Sequence, residues 1–305
     1  MKLNKAIGIL IGSGLLITGC SSTAQEYKFV SPESENVEHL HGAGYPNNDD
    51  VFFIATHNGL YKYDENKWTE ANRNKHDYMG FSPYKDGFYS SGHPENGSDL
   101  KNPLGIIKST DQGKSLDKLA FYGETDFHYL SAGYESGQLF VINQEPNSTL
   151  ETGLYSSSDE GKNWNKRKMS GIDPAKLIGL AAHPDKKNLL AINSQEGIFF
   201  SEDGGDTFSP IMQGTPVTSV VLNDKTGVYS SLEEEGISLI KFNLESLEEL
   251  ELPLPSINNH NPIMFIAQNP KNQSEMTIVT YKNDIYRTSD DGKNWTEIMD
   301  SGKPE

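Results

Sequence analysis

Histidine is the residue type whose spacing in this chain most directly suggests chemistry. His39, His76 and His128 each lie at the start of a short strand-like segment, seven residues before its end. His41 follows His39 by two residues, and residues two apart on a β-strand point to the same side. Neutral imidazole nitrogens are good ligands for copper and zinc. The pattern therefore predicts that His39, His41, His76 and His128 meet in a metal site, with copper or zinc as the possible ion.

Two other interpretations of these histidines stay open. They could line a polar pocket that binds a sugar or another small ligand without a metal, or they could only hydrogen-bond neighbouring loops. Asp77, Asp99 and Asp126 are candidate acceptors for the imidazoles, or direct metal ligands. Tyr78 and Phe127 could stack on a sugar, although packing between strands is favoured for both. The predicted pocket comprises His39, His41, His57, His76, His93, His128, Tyr45 and Tyr129.

An enzyme of the glycosidase type would need two carboxylic acids about 5 to 10 Å apart. The candidates on the same predicted face are Asp77, Asp126, Asp99 and Glu145. Nothing in their spacing selects a pair. The chain also has no glycine-rich phosphate loop, no nucleophile elbow and no HExxH helix, so no complete catalytic set is identifiable.

The elements that must position these residues are marked by a repeated motif, S/T-x-D-x-G-x-x, followed by an aromatic or apolar residue. It reads STDQGKSL, SSDEGKNW, SEDGGDTF and TSDDGKNW, and its aspartates are 48, 44 and 87 residues apart. The Asp side chain can accept backbone N–H groups just after it, and the Gly supplies a positive φ. Each motif is therefore predicted to be a tight turn between strands. The turn residues are Asp111, Gly113, Asp159, Gly161, Trp164, Asp203, Gly205, Asp290, Gly292 and Trp295.

The repeat predicts an all-β propeller, with six blades favoured and seven possible. Worn copies at Gly59 and Gly236 complete a set of units that begin near Gly59, Gly105, Gly153, Gly197, Gly236 and Asp284. Four strands per unit account for residues 37 to 299, and radial repetition leaves few exposed strand edges. The predicted divisions are a signal peptide (1–20), a tether with a possible closing strand (21–36) and one propeller domain (37–305). The segment Glu26 to Ser31 is expected to join the last blade.

In such a ring, the loop that enters each inner strand and the loop between the second and third strands open on one face. Seven of the eight histidines, including His260, map to that face. Only His183, in the turn GLAAHPDKK, maps to the other face and is expected to be structural.

The repeated turns resemble the Asp-box, or BNR, repeat of sialidases, sortilin-type receptors and photosystem-assembly propellers. The segments VEHLHGAGY, FIATHNGLYKY, KHDYMGFS, YSSGHP and NPLGIIKSTDQGK are similar to bacterial lipoproteins labelled glycosylhydrolase-like. The resemblance implies that the binding site lies opposite the turns, and it makes a glycoside hydrolase the alternative function. A typical sialidase is not expected: only Arg73, Arg167 and Arg287 are available, and the arginine motif before the first blade is absent.

The first twenty residues predict export. Lys2 and Lys5 precede an apolar stretch, and the segment Ile17-Thr18-Gly19-Cys20 resembles a bacterial lipobox, which would make Cys20 the lipidated first residue. An ordinary secretory signal is the alternative; the apolar run is short for a membrane span. Localisation on the outer side of a bacterial cell membrane is the expectation.

The cysteine count and the net charge limit the chemistry and the partners that are expected. Cys20 is the only cysteine, so the exported domain is predicted to have neither disulfides nor a catalytic thiolate. A net charge of −17 disfavours nucleic acid and anionic surfaces as partners. The sequence thus predicts a monomeric, lipid-anchored propeller that serves binding or assembly, with a metal, a small ligand, a glycan or another protein as its partner.

Overall fold

The computed structural model describes residues 26–304, and these form six antiparallel sheets arranged as the blades of a propeller. The signal peptide, Cys20 and the start of the tether lie outside the described residues. Among residues 26–304, one short 3-10 turn at Pro174–Lys176 is the sole helical element. None of their helices has the length and apolar character needed to cross a membrane.

In each of the first three blades, successive strands run outward from the central axis, except that β1 of blade 1 lies at its outer edge. Blade 1 contains β1 (Phe29–Val30), β2 (Leu40–Gly44), β3 (Phe52–Thr56), β4 (Gly59–Asp64) and β5 (Lys67–Ala71). Blade 2 contains β6 (Asp77–Tyr84), β7 (Gly87–His93), β8 (Ile106–Ser109) and β9 (Asp117–Ala120). Blade 3 contains β10 (Tyr129–Ala132), β11 (Leu139–Asn143), β12 (Gly153–Ser157) and β13 (Asn165–Lys166).

The last three blades follow the same plan. Blade 4 contains β14 (Leu177–Ala182), β15 (Leu190–Ser194), β16 (Gly197–Ser201) and β17 (Ser209–Gln213). Blade 5 contains β18 (Val217–Leu222), β19 (Thr226–Leu232), β20 (Ile237–Asn243) and β21 (Glu249–Glu251). Blade 6 contains β22 (Ile263–Gln268), β23 (Met276–Thr280), β24 (Ile285–Thr288), β25 (Thr296–Asp300) and β26 (Lys303–Pro304).

The ring closes between blade 6 and blade 1, which confirms the six-bladed prediction over seven. Each inner strand contacts the next, and β22 contacts β2. Val37 N–H donates to the Gly302 carbonyl at 2.7 Å, and Trp68 Nε1 donates to the Ile298 carbonyl at 2.6 Å. The Tyr45 hydroxyl also hydrogen-bonds the Thr277 hydroxyl at 2.7 Å. Closure therefore rests on contacts between two blades rather than on a blade shared by both chain ends.

The prediction that the segment Glu26 to Ser31 joins the last blade is wrong. β1 pairs with β5, with Phe29 opposite Ala71, and so extends the outer edge of blade 1. Two contacts explain the placement: the Phe29 ring packs edge-on against Phe53 at 5.8 Å, and the Tyr27 hydroxyl donates to the Gln112 carbonyl. The outer edge of blade 6 is already paired, because β26 folds back on β25.

Six apolar clusters, one at each junction between blades, form the core. At the closing junction, for example, Phe52 and Ile54 of blade 1 pack with Val279 and Ile285 of blade 6. Five-residue strands such as β3 are buried along their whole length, because both faces of the blade are covered by neighbours. The core therefore holds neighbouring blades in fixed register, and the loops of adjacent blades meet at defined positions.

The four repeated motifs form turns between the third and fourth strands of blades 2, 3, 4 and 6. In the Ser201 turn, the Ser hydroxyl accepts from Gly205 N–H at 2.8 Å and donates to Asp203 Oδ1 at 2.9 Å. The Asp203 carboxylate also accepts from the N–H and hydroxyl of Thr207 at 2.9 and 2.6 Å. These donors lower the pKa of Asp203 to about 2. The other three turns repeat this network, beginning at Ser109, Ser157 and Thr288.

Candidate functional site

The histidine face is the end of the propeller that carries the inner-strand entries and the loops between second and third strands. Alternating strand direction places the repeated turns at the opposite end. His183 also lies at that opposite end, in the turn between β14 and β15. The histidine face carries His39, His41, His57, His76, His93, His128 and His260.

His41, His57 and Asp77 form a compact group, the blade 1–2 cluster. His41 Nε2 lies 2.9 Å from His57 Nδ1, and each of these nitrogens lies 3.2 Å from Asp77 Oδ1. The three atoms belong to three elements: β2, the loop between β3 and β4, and the start of β6. Two imidazoles and one carboxylate oxygen thus converge on one point at the boundary between two blades.

The backbone places each of these side chains for a local reason. The register of β2 against β3 shifts between Leu40 and Gly42, and such a bulge re-aims the residue that it contains, here His41. In the next loop, the Thr56 hydroxyl donates to the Gly59 carbonyl and accepts from Asn58 N–H, which fixes a tight turn around His57.

Asp77 is the acidic side chain of the cluster and is largely buried. Its side chain is only 12% exposed, and Oδ1 is buried and accepts no hydrogen bond from any described residue. Both histidine nitrogens approach Oδ1, but neither contact has hydrogen-bond geometry. A buried carboxylate oxygen without a donor is costly, and a cation between the three atoms would satisfy it.

A second group, the blade 2–3 cluster, consists of His93, His128 and Asp126. His93 Nε2 and His128 Nδ1 each lie 3.4 Å from Asp126 Oδ2. His93 Nδ1 is 2.6 Å from the side-chain oxygen of Asn102, in the long loop that follows β7. Asp126 Oδ1 is buried and, like Asp77 Oδ1, accepts no hydrogen bond from the described residues.

The predicted four-histidine set is not assembled in the structure. The ring of His39 lies 5.5 Å from that of His57, at the edge of the blade 1–2 cluster. His76 is turned into the core, where its Nδ1 accepts from Glu95 N–H at 3.0 Å and burial lowers the pKa of the ring. His128 joins the separate blade 2–3 cluster instead.

The other predicted site residues are dispersed. Tyr45 is buried at the closing junction, with its hydroxyl on Thr277, while Tyr129 is half-buried beside the central channel. Tyr78 and Phe127 are fully buried, which confirms that they pack between strands. Asp99 and Glu145 are exposed in separate loops, and His260 is exposed near the entry of blade 6.

One further group of acidic side chains lies close together among residues 26–304: Asp284, Glu297 and Asp300 of blade 6. Asp284 is already engaged, since its carboxylate accepts from Asn261 Nδ2 at 2.7 Å and from Ser301 N–H at 2.8 Å. Glu297 and Asp300 are exposed. This group is a solvated surface with local structural bonds.

The central channel has a volume of about 580 Å³ and is bordered by all six inner strands. Small residues such as Gly42, Ser131 and Gly179 line much of it. His41 and His128 border the channel, so both clusters lie beside its mouth on the histidine face. A small solute in the channel could therefore reach either cluster.

No protein-family model and no curated protein matches this sequence. Solved structures share its fold. A GH74 enzyme from Niastella koreensis is 15% identical over 88% of this chain, with a TM-score of 0.57, and the chain spans 46% of that enzyme. YCF48 from Cyanidioschyzon merolae is 13% identical, with 91% of this chain and 89% of that one covered and a TM-score of 0.53. A YCF48 structure bound to a D1 peptide is 15% identical over 90% of this chain and 85% of that one, with a TM-score of 0.52. Identities this low establish the propeller fold and leave activity to be argued from the site.

His57 and His93 were predicted to line a pocket, but the sequence analysis did not pair His57 with Asp77 or His93 with Asp126. It also did not identify Asn102 as a partner of His93. The order of strands and loops in a propeller would have predicted this pairing. A residue just after the second strand of one blade faces the inner-strand entry of the next blade. His57 and Asp77, and likewise His93 and Asp126, hold those two positions in consecutive blades.

Proposed function

We propose that this protein is a lipid-anchored, extracytoplasmic binding propeller that holds a divalent transition-metal ion at His41, His57 and Asp77. The observation that carries this proposal is the triangle formed by the three ligand atoms, with sides of 2.9, 3.2 and 3.2 Å. Zinc bonds of 2.0–2.2 Å in a tetrahedral site hold ligand atoms about 3.3 Å apart. The cluster is thus within a few tenths of an ångström of a three-ligand metal site with one open position.

The ligand set favours zinc or copper over the hard cations. Imidazole nitrogens suit zinc and copper, whereas calcium takes six to eight oxygen ligands and magnesium an octahedron of oxygens. Two histidines and one aspartate supply only one or two oxygens. The open fourth position suits an external ligand, such as a solute that enters through the channel.

Metal titration of the full chain in detergent tests this proposal. After removal of bound metal with a chelator, zinc or copper(II) added to the protein is expected to bind and to raise the melting temperature. His57 is half-exposed, so His57→Gln should fold normally. It should weaken binding at this site by more than the roughly 10- to 100-fold that loss of a residue beside a ligand costs.

The matched control is His260→Gln, which changes an exposed histidine of the same face that belongs to neither cluster. It should bind metal as the unchanged protein does. Equal affinity in the His57→Gln variant and the control would refute the site. The trio would then be a metal-free polar pocket.

The proposed anchor is the lipid on Cys20, which is supported by the sequence pattern before that residue. Labelling of cells with a tagged fatty acid should mark the protein, and Cys20→Ala should lose both the label and the membrane association. Label that persists in the Cys20→Ala variant would contradict the assignment.

A glycoside hydrolase is the second candidate, favoured by the shielding of Asp77 and Asp126 on one face. Each carboxylate is at least 87% buried and has one oxygen without a hydrogen bond, and a glycosidase uses a pair of carboxyl groups. Turnover on a panel of polysaccharides that is abolished by Asp126→Asn, with the fold intact, would support this candidate. Turnover that is unchanged by Asp77→Asn and Asp126→Asn would exclude these two as its acids.

A further inference from the structure

The blade 2–3 cluster repeats the composition of the blade 1–2 cluster one blade further around the ring. In both, a histidine that follows a second strand faces an aspartate at the next inner-strand entry: His57 with Asp77, and His93 with Asp126. In both, a second histidine completes the group, and one aspartate oxygen is buried without a hydrogen bond.

The hydrogen bond between His93 and Asn102 orients the His93 ring in the second cluster. The Asn102 side-chain oxygen can only accept, so the His93 Nδ1 at 2.6 Å carries the proton. In a neutral imidazole the other nitrogen is then an unprotonated acceptor. This Nε2 lies 3.4 Å from Asp126 Oδ2, which is also an acceptor. Two lone pairs that face each other are stabilised by a cation between them, either a metal ion or the proton of an imidazolium.

The second cluster is held in place by buried neighbours. Asp126 and His128 flank Phe127, which is fully buried and whose N–H donates to Ser91 Oγ at 2.8 Å. The Asp126 and His128 side chains, on either side of this buried residue, approach each other to 3.4 Å. The Asn102 loop is pinned on both sides of that residue: Lys101 N–H donates to the Tyr122 hydroxyl, and Leu104 N–H to the Gly92 carbonyl.

We propose that His93, His128 and Asp126 form a second site for a divalent transition-metal ion, with Asn102 as a positioning residue that orients His93. Each histidine nitrogen lies 3.4 Å from Asp126 Oδ2, which matches the roughly 3.3 Å edge of a tetrahedral zinc site. The two histidine nitrogens lie more than 4.8 Å apart, so one ring must turn toward the ion before all three ligands can bind it. The half-exposed His128 ring has room to adjust as it takes up the ion. Histidine whose second nitrogen is bound to an oxygen acceptor is the usual arrangement of a metal ligand. This inference is independent of the blade 1–2 site.

Metal stoichiometry at saturation separates the two sites. The full chain in detergent is loaded with zinc, freed of excess and analysed for zinc per chain, in parallel with His57→Gln, His93→Gln and the double variant. Two sites predict two, one, one and zero equivalents. Cobalt(II) added to His57→Gln should then give the visible absorption of a nitrogen- and oxygen-ligated ion, and His93→Gln with His57→Gln should abolish it.

Each failure has its own pattern. If only the second site exists, the unchanged protein and His57→Gln both bind one equivalent and His93→Gln binds none. If the blade 2–3 cluster is a metal-free imidazolium–carboxylate pair, His93→Gln binds as much zinc as the unchanged protein, and the inference is overturned. His260→Gln is the matched control. Asn102→Asp, which keeps the acceptor for His93, should retain the second equivalent, whereas Asn102→Leu should weaken it by roughly 10- to 100-fold.

Discussion

At the scale of single residues, Asp77 determines what the blade 1–2 cluster can do. Its oxygen Oδ1 is the atom on which both histidine nitrogens converge, and it lacks a hydrogen-bond donor. A group in this state destabilises the metal-free fold and gains most from a cation. In the proposed site, metal binding would therefore be linked to stability through this one carboxylate.

Asp77→Asn tests that link because it keeps the side-chain volume and removes the charge. We expect the metal-free variant to be as stable as the unchanged protein or more so, and its melting temperature to stop responding to zinc. Thermal unfolding with and without zinc measures both effects. A variant that zinc still stabilises as much as it stabilises the unchanged protein would show that Asp77 is not a ligand.

His183 illustrates a histidine whose role is structural. It is 1% exposed, its Nδ1 accepts from the N–H groups of Asp185 and Lys186 at 3.1 and 3.0 Å, and its Nε2 lies 3.1 Å from the Asp224 carbonyl. The ring therefore holds the β14–β15 turn and ties it to blade 5. This geometry agrees with the predicted structural role of His183. In the sequence, the position of His183 in a turn between two apolar strands indicates that role.

His183→Ala should lower the free energy of unfolding by about 1–3 kcal/mol, because it leaves buried N–H groups without an acceptor. His183→Asn, which keeps an acceptor, should cost less. Burial lowers the pKa of His183 from 6.5, so the unfolded chain binds a proton that the folded chain resists. Stability from this residue is complete above pH 6.5 and declines as the pH falls below it. Urea unfolding at pH 7.5 and 5.5 should show a smaller decline in His183→Ala than in the unchanged protein.

At the scale of elements, the repeated turn was predictable and the bulges were not. Asp203 and Gly205 specify their turn through local hydrogen bonds and a positive φ, and such interactions are encoded within a few residues. The bulge at His41 depends instead on how β2 packs against blade 2, where a Cβ on Gly42 would lie 2.7 Å from Phe81. Which imidazole met which carboxylate therefore could not be read from spacing alone.

The placement of β1 also depends on contacts between residues that are distant in the chain. The extended pattern of Glu26 to Ser31 correctly indicated an edge strand, but its partner was chosen by a tertiary contact, the packing of Phe29 on Phe53. Local pattern gives the type of element, whereas its partner depends on residues that are distant in the chain.

Asp203→Asn tests how much a repeated turn contributes. The pKa of Asp203 is lowered to about 2 by its bonds to Thr207, so the stabilisation is present above the unfolded value near 3.8 and is lost as the pH falls through 2. We expect Asp203→Asn to lower the melting temperature by a few degrees at pH 7, and the difference from the unchanged protein to shrink between pH 4 and pH 2. A difference that stays constant over that range would show that the charge of Asp203 is not what stabilises the turn.

At the scale of the whole molecule, the two His–Asp clusters lie in one sector of the ring. Among the described residues, the His–Asp clusters occupy the junctions of blades 1–2 and 2–3, while His260 is the single histidine that blade 6 carries on that face. Both clusters combine side chains from two blades, so their geometry depends on the register of neighbouring blades. That registry in turn depends on closure of the ring between blades 6 and 1.

Closure can be tested with two tryptophans that differ in what their indole N–H reaches. Trp68 donates across the closing junction to the Ile298 carbonyl, whereas Trp164 donates to the Gly161 carbonyl within its own turn. Trp68→Phe leaves a buried carbonyl unpaired between the first and last blades, so it should lower the free energy of unfolding by about 1–3 kcal/mol. Trp164→Phe is the matched control and should cost less, because its ring is half-exposed and water can replace the lost bond. Urea unfolding of both variants measures the difference. Equal losses of unfolding free energy would mean that the hydrogen bond across the closing junction contributes no more to stability than the one within a turn. Because the clusters depend on blade registry, Trp68→Phe should also weaken zinc binding at the blade 1–2 cluster, which Trp164→Phe should leave unchanged.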